Sequence, residues 1–519
     1  MYVTQGLHRG MQQTPDVTMT ICGGRSQSFR TVAERVARLA GGLRELGVAA
    51  GDRVAMLALN SDRYHEYLLA VPWADAVLAP LNTRWSAAEL GYALRDCEAR
   101  VLIVDDAHRG LLDAIRAECA QLDVVVHCGD AAAPAGTIDY EDLIAGAAAI
   151  ADARRGGDAL AGIFYTGGTT GAPKGAMLSH TALGTSWLGA LASGHLFGAG
   201  RDTRYLHAAP MFHLADLAAW GAVTLLGGTH VIVPRFEPGE LLGAVVSHRI
   251  TDIALVPTMI QTVLDHPGLD AHDLSSVRSI LYGASPMPQA LLERAAAALP
   301  RAAFTQAYGM TELAPIATLL GPEEHRDATL RRSAGRAAPH CEIRVVDETG
   351  AEVPRGTVGE IVVRGANMMT GYWKRPPETA EAIRGGWLHT GDGGYLDEAG
   401  YLFVVDRIKD MIVTGGENVY SVEVENAVVR NPAVAQCAVI GVPDERWGER
   451  VHAVVVLRPG GATSEEQIRR HAKQFIAGYK APRSVEFVEQ LPVSAAGKVL
   501  KRELRQPYWS GSGSSGSMS

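Results

Sequence analysis

Residues 160–180 read LAGIFYTGGTTGAPKGAMLSH. The apolar run LAGIF has the length of a buried strand, and the segment after it is rich in glycine and threonine, with a single lysine, Lys174. Glycines allow backbone N–H groups to converge on an anion, threonines add hydroxyl donors, and a lysine adds a mobile charge. A strand followed by such a segment is a candidate phosphate loop. The Walker pattern G-x-x-x-x-G-K-[ST] is the obvious comparison, and this segment fails it. Gly175 follows Lys174 where Ser or Thr is required, and Pro173 precedes the lysine.

The flanking sequence alternates helix and strand signals. TVAERVARLAGGLRELG (31–47) places Val32, Val36, Leu39, Leu43 and Leu46 at helical spacing, with Thr31 and Glu34 in a capping-box pattern and Gly47 as a stop. DRVAMLALN (52–60) reads as a strand, a helix opens at Ser86 with Glu89 three residues on, and ARVLIVDD (99–106) is a further strand. Alternation of this kind implies parallel strands joined by helical crossovers. It recurs at HVIVP (230–234), DIALVP (252–257) and SVRSILYGAS (276–285). The long uncharged stretch LAAWGAVTLLGGTHVIVP (217–234) is broken by Gly227 and Gly228, and reads as helix, turn and strand rather than a membrane span.

From about residue 340 the rhythm changes. EIRVVDETG, GEIVVRG and YLFVVDR are short strands joined by glycine-rich turns, the pattern of a small antiparallel sheet. After DRIKD (406–410) comes a compact mixed unit: SVEVENAVVRN, AQCAVIGVPDE, VHAVVVLRPG and a helix near 465–477. The expected fold is α/β. A large N-terminal domain (1–406) holds parallel-rich sheets and the small antiparallel sheet. A boundary segment (407–410) separates it from a small α+β C-terminal domain (411–508), and 509–519 form a Gly/Ser tail resembling a flexible linker.

Composition narrows the class. The chain has 519 residues, 47% of them hydrophobic and 20% charged, with a formal net charge of −9, which argues against a general nucleic-acid binder. Six cysteines lie scattered without a CxxC pair, as expected of reduced cytoplasmic thiols. The first residues contain no apolar core of a secretory signal.

YTGGTTGAPKG (165–175) resembles the signature YTSGTTGxPKG of the adenylate-forming superfamily, which includes acyl-CoA synthetases, peptide-synthetase adenylation domains and beetle luciferases. Gly167 replaces the usual serine. The resemblance implies that Thr166, Gly167, Gly168, Thr169, Thr170, Gly171 and Lys174 hold the β- and γ-phosphates of ATP. QAYGMTE (306–312) resembles a second signature, which implies that Gln306, Ala307, Tyr308 and Gly309 flank the adenine, Thr311 bonds the α-phosphate and Glu312 ligates Mg²⁺. LYGASPMP (281–288) resembles the segment whose backbone at Gly283, Ala284 and Ser285 lines the adenine and acyl pocket. In WLHTGDGGYLDEAGYLFVVDRIKDMIVTGGENVYSVEVE (387–425) the family pattern puts Asp392 and Arg407 on the ribose and Lys409 at the hinge. Gly415, Gly416 and Glu417 fall at a pantetheine tunnel. Gly393 stands where an aliphatic residue is usual and was expected to loosen a turn; Ser421 replaces a common proline and was expected to cap the next helix. LPVSAAGKVLKRELR (491–505) resembles the C-terminal element, with Lys498 in the catalytic position.

The implied reaction has two halves. A substrate carboxylate attacks the α-phosphorus of ATP to give an acyl-adenylate and pyrophosphate; then a thiol attacks the mixed anhydride and AMP leaves. The family uses Lys498 in the first half and rotates its C-terminal domain before the second.

Segments corresponding to the family's acyl pocket contribute His213, Ala215, Asp216, Leu217, Ala218, Met259 and Ala284. They are mostly small or apolar, which favours a medium- or long-chain fatty acid or an aryl acid. Asp216 is the odd residue, expected to cap a helix or face solvent, with a polar substituent of the acid as the other reading. The C-terminal motifs lie nearer fatty-acyl- and aryl-CoA ligases than peptide-synthetase domains, and no carrier module follows, so coenzyme A is the expected acceptor. A stand-alone enzyme loading a carrier protein is the second reading, and a non-catalytic nucleotide or acyl sensor the third. Family analogy implies a monomer or a homodimer.

Overall fold

The computed structural model describes residues 1–166, 173–196, 200, 202–285, 287–415, 417–444, 446–494 and 499–509. Among these, two large sheets carry the N-terminal part. One runs in the order Arg336–Ala337, Ile316–Leu320, Ala303–Gly309, Ser279–Gly283, Asp252–Leu255, Arg204–His207, Thr229–Ile232, Thr18–Cys22 and Arg25–Ser28, parallel from Ala303–Gly309 to Thr18–Cys22. The other runs Gly371–Tyr372, Lys174–Ser179, Leu160–Thr166, Val77–Pro80, Arg53–Leu57, Val101–Val104, Val124–His127 and Ile138–Asp139. Its inner strands are parallel, and Leu160–Thr166 turns back antiparallel into Lys174–Ser179. Strands covered by helices on both faces read as continuous apolar runs, as VLIV at 101–104 does, and that strand is wholly buried.

The antiparallel expectation from residue 340 holds. Cys341–Val346, Gly359–Gly365, Trp387–Leu396 and Leu402–Arg407 form a small sheet. A fourth sheet, of Ile412–Thr414, Glu417–Val419, Val434–Asp444, Gly448–Leu457 and Ser484–Phe487, packs against the helices Ser421–Val429 and Glu465–Ala472 around its own apolar core. No described helix is long and apolar enough to cross a membrane. All six cysteines are free thiols.

Local chemistry sets the helix ends. Ser86 and Glu89 make the expected reciprocal capping box. Gly227, at φ +77°, closes the helix Leu214–Leu226 before the strand Thr229–Ile232, so the uncharged stretch is helix, turn and strand. Two expectations need correction. The helix over Thr31 starts earlier, at Phe29, because Ser28 rather than Thr31 caps it by accepting the Thr31 N–H. The helix expected near 465–477 spans only Glu465–Ala472.

Candidate functional site

The strand Leu160–Thr166 ends where Lys174–Ser179 begins, with Thr166 paired to Lys174. Tyr165 anchors this hairpin: its hydroxyl donates to Asp96 Oδ2 at 2.7 Å. Gly167, Gly168, Thr169, Thr170 and Gly171 at its tip lie outside the described residues, as do Gly416, Lys498 and the Lys409 side chain. Lys174 Nζ stands 5.2 Å from the centre of the Tyr372 ring, a cation–π distance. Tyr372 pairs through its backbone with Ala176 and donates its hydroxyl proton to Glu312 Oε1 at 2.8 Å. Lys174, Tyr372 and Glu312 are thereby brought together from three separate segments. Burial, then the Glu312 carboxylate, pushes the Tyr372 phenol above its ordinary range, so it stays a donor.

Glu312 lies in a short 3₁₀ turn, Thr311–Leu313, directly after the strand that carries Gln306, Ala307, Tyr308 and Gly309. Thr311 is half-buried beside it. A Cβ at Gly309 would stand 1.9 Å from the Pro315 carbonyl oxygen, so only glycine fits there. The Tyr308 hydroxyl donates to Asp392 Oδ2 at 2.8 Å, and Arg407 Nε stands 2.8 Å from Asp392 Oδ1 in an ion pair. Asp392 and Arg407 face each other across neighbouring strands of the small sheet. Burial, then the Asp392 charge, raises the Tyr308 phenol, keeping it protonated. A carboxylate offers about four lone-pair sites, so Asp392 keeps acceptor capacity beyond these two bonds.

Gly283 pairs with Ala307 on the adjacent strand, and Ala284 follows at φ +66°, a left-handed conformation that costs an L-residue about 1 kcal/mol. Ala284, Ser285, Met259, Ala215 and His213 are all half-buried, whereas Leu217 is buried. His213 caps the helix Leu214–Leu226, its Nδ1 accepting the Ala215 N–H at 3.2 Å. In a neutral ring that bond leaves the proton on Nε2.

Three site expectations are corrected. Asp216 neither caps the helix nor meets solvent. It is 1% exposed, with Tyr205 and His207 on its carboxylate, because a buried carboxylate must find donors. Gly393 lies inside the strand Trp387–Leu396 rather than in a turn, and a Cβ there would meet nothing closer than 3.5 Å. Ser421 does not cap its helix; its N–H goes to Asp406 and its hydroxyl takes Lys501.

On the C-terminal sheet Gly415 has φ +62°, and a Cβ would lie 2.6 Å from the Trp447 ring. The guanidinium groups of Arg446 and Arg483 each stand 4.7 Å from that ring. Glu417 is exposed nearby. Tyr372 and Trp447 escaped the sequence reading. Their signals, an aromatic pair in GYWK (371–374) and a tryptophan in ERWGER (445–450), carry no periodicity.

Among the described residues no group of three or more His, Cys, Asp or Glu could hold a metal by itself. A single buried carboxylate oriented by a tyrosine suits Mg²⁺, which binds through one or two carboxylates and completes its shell with phosphate oxygens and water. Glu312 fits that role.

The family model described as "AMP-binding enzyme" matches residues 7–373 of the chain, and "AMP-binding enzyme C-terminal domain" matches residues 423–498. The chain belongs to the AMP-binding enzyme family. It is 42% identical over 502 residues to a feruloyl-CoA synthase of Amycolatopsis sp, covering 96% of this chain and 98% of that protein. It is 36% identical over 504 residues to the fatty acid–[acyl-carrier-protein] ligase ScoC of Streptomyces coeruleorubidus, covering 96% and 95%. The solved structure of the anthranilate CoA ligase AuaEII in complex with anthranoyl-AMP superposes with a TM-score of 0.90 at 28% identity, over 98% of this chain and 97% of that one. This AMP-binding protein is an enzyme, with the mixed α/β architecture of that family.

Proposed function

We propose that this enzyme is an AMP-forming acid–thiol ligase that activates an apolar carboxylic acid, aryl or fatty, and transfers the acyl group to coenzyme A. The observation that carries the reading is a pair of clusters, Lys174 with Tyr372 and Glu312, and Tyr308 with Asp392 and Arg407, near enough that the Glu312 charge acts on Arg407. One group suits the phosphates and the other a ribose with its purine, both around the ends of strands in an α/β sheet, where ligands bind.

In the first half-reaction a carboxylate oxygen of the acid bonds to the α-phosphorus, the bond to the bridging oxygen breaks, and pyrophosphate leaves. Two anions approach, so fixed positive charge must offset their repulsion. Lys174, with Thr166 and the 167–171 tip, would hold the departing phosphates. Thr311 would donate to the α-phosphate, and Lys498 would bridge it to the acid. Mg²⁺ bound at Glu312 would neutralise phosphate oxygens. Asp392 would accept from the ribose hydroxyls while Arg407 and Tyr308 fix its orientation. In the second half-reaction the thiol bonds to the acyl carbon, its proton passes to solvent, and AMP leaves. Rotation of residues 411–508 about 407–410 would withdraw Lys498 and bring Gly415 and Gly416 to the thiol path. Trp447 between two guanidinium groups offers an aromatic and cationic surface beside that path.

Half-buried Ala215, Met259 and Ala284 support an apolar acid. A relative named for feruloyl and a fold-mate bound to anthranoyl-AMP both support the aryl branch. The test is a panel of fatty acids, benzoates and cinnamates with ATP, Mg²⁺ and coenzyme A, read as pyrophosphate release and thioester mass. Turnover of an aryl or fatty acid to its thioester is expected. Pyrophosphate release without thioester would favour carrier loading, and no turnover at all would favour a sensor.

A further inference from the structure

We infer that Asn60 and Asp216 are positioning residues for the acid end of the site, acting through the segment 207–213 that carries His213. The inference rests on the acid-activating reading above.

The segment leaves the strand Arg204–His207 and ends at His213, the cap of the helix Leu214–Leu226. Irregular backbone buried at such a place needs partners for its polar groups. Asn60 supplies them from the other large sheet, three residues beyond the strand Arg53–Leu57. Its Nδ2 donates to the Ala209 carbonyl at 2.9 Å and to the His207 carbonyl at 3.4 Å, and its Oδ1 accepts the Met211 N–H at 2.8 Å. Its own N–H donates to the Pro234 carbonyl at 3.1 Å. Asn60 is 5% exposed, so water does not replace these bonds.

The second hold is on the helix itself. Asp216, in its first turn, lies 2.7 Å from His207 Nδ1. His207 Nε2 lies 2.9 Å from His230 Nδ1, and His230 Nε2 lies 3.2 Å from Thr224 Oγ1, back on the same helix. The donors can be assigned by counting protons. Thr224 gives its only hydroxyl proton to the Trp220 carbonyl at 2.7 Å, so it accepts from His230 Nε2–H. Burial holds His230 neutral, so its Nδ1 is bare and accepts from His207 Nε2–H. The remaining proton sits between His207 Nδ1 and Asp216. Tyr205 adds a bond to the other carboxylate oxygen at 3.3 Å, and Trp220 Nε1 donates to His65 Nδ1 at 2.9 Å.

The chain therefore runs from one turn of the helix, through two adjacent strands, to a point eight residues further along the helix. Sliding or rotating the helix breaks it at both ends, and His213 takes its position from that helix. Asn60 fixes the approach and Asp216 the landing.

The experiment measures KM for the best acid of the panel, KM for ATP, and kcat in acid-dependent pyrophosphate release. It compares Asn60→Asp, which removes two donors at constant shape, with Asp216→Asn and His213→Ala. Each clamp variant should raise the acid KM roughly tenfold, since misplacement of a positioned group is costly, while the ATP KM stays within about twofold. Combined with His213→Ala, either clamp variant should add much less than it costs alone, because the effect passes through His213. Additive losses, or a fall in active protein with both KM values unchanged, would overturn the inference. Should Asn60→Asp not fold, Asp216→Asn decides by the same criteria, since it keeps the side-chain shape while replacing the carboxylate that shares a proton with His207. Wild-type protein inert toward every acid would instead remove the functional reading.

Discussion

The proposed nucleotide end of the site and its proposed acid end are made of different materials. At the nucleotide end the side chains that would touch ligand are themselves charged or hydroxylic: Lys174, Tyr372, Glu312, Tyr308, Asp392 and Arg407, each already bonded to, paired with or stacked on another member. At the acid end the half-buried wall is mostly small or apolar, and the polar side chains beside it, Asn60, His207, Asp216 and His230, are buried and bonded to one another or to backbone. ATP never changes, so residues that grip it can be fixed directly. An acid pocket must take one shape among many. Its precision comes from a buried frame that holds an otherwise unremarkable wall.

The separation should break most completely at Lys498, which the proposed mechanism assigns to the reacting centre rather than to either end. Lys498→Ala should lower acid-dependent adenylation roughly a thousandfold, in line with loss of a group that stabilises transition-state charge. Thioester formation from supplied acyl-adenylate should change little. Equal loss in both half-reactions would end the assignment and with it the proposed rotation. Asp392→Ala probes the nucleotide end alone. Removing a charged acceptor costs about 1.5–3 kcal/mol, so the ATP KM should rise roughly 10- to 100-fold with the acid KM within about twofold. A comparable rise in the acid KM would show that the two ends are not separable.

These two ends also differ in how far the sequence reveals them. The nucleotide end lies in contiguous motifs, because strand ends and the turns after them place neighbours in sequence beside one ligand. Tyr308 and Asp392 were thus identifiable 84 residues apart, although their mutual bond was not. The frame of the acid end joins Asn60 to Met211 across 151 positions, and no periodicity marks such a pair. Asp216 was visible as an odd charge in an apolar helix, yet its partners Tyr205 and His207 lie on the strand Arg204–His207, and only the folded sheet sets His230 beside them. The parallel alternation and the antiparallel change near residue 340 were legible because period and turn chemistry are local. The start of the helix Phe29–Glu45 was not, since Ser28 and Thr31 offer the same hydroxyl and only the backbone decides between them.

Smaller effects sharpen the comparison within each end. Tyr372→Phe deletes the hydroxyl that orients Glu312, and the Mg²⁺ concentration for half-maximal pyrophosphate release should rise about tenfold, as for loss of a group that positions a metal ligand. At saturating Mg²⁺ the ATP KM should return near the wild-type value. The acid end carries a pH signature instead. Burial holds His65 down to about 3 and His230 well below the usual imidazole range, against about 6.5 when unfolded. Below that value the unfolded chain binds protons that the folded chain refuses, so stability falls as pH drops, by up to about 1.4 kcal/mol per pH unit for each histidine. Thermal melting from pH 7.5 to 5 should show a steady decline that is reduced in His65→Gln. A flat profile would mean that these rings protonate inside the fold.

The smallest effect lies where the two ends meet. Ala284 sits at φ +66° beside Gly283. Relief of left-handed strain by Ala284→Gly is worth about 1 kcal/mol, and the added freedom of glycine in the unfolded chain takes back about half or more of it. A net gain of at most about 0.5 kcal/mol should appear as a melting temperature raised by at most about 0.5 °C. On the proposed reading the alanine methyl also touches the acid, and one buried methyl is worth about 0.8 kcal/mol, so the acid KM should rise about fourfold while the ATP KM holds. Higher stability with an unchanged acid KM would mean that the methyl faces neither ligand. A raised ATP KM would move residue 284 to the nucleotide side of the boundary.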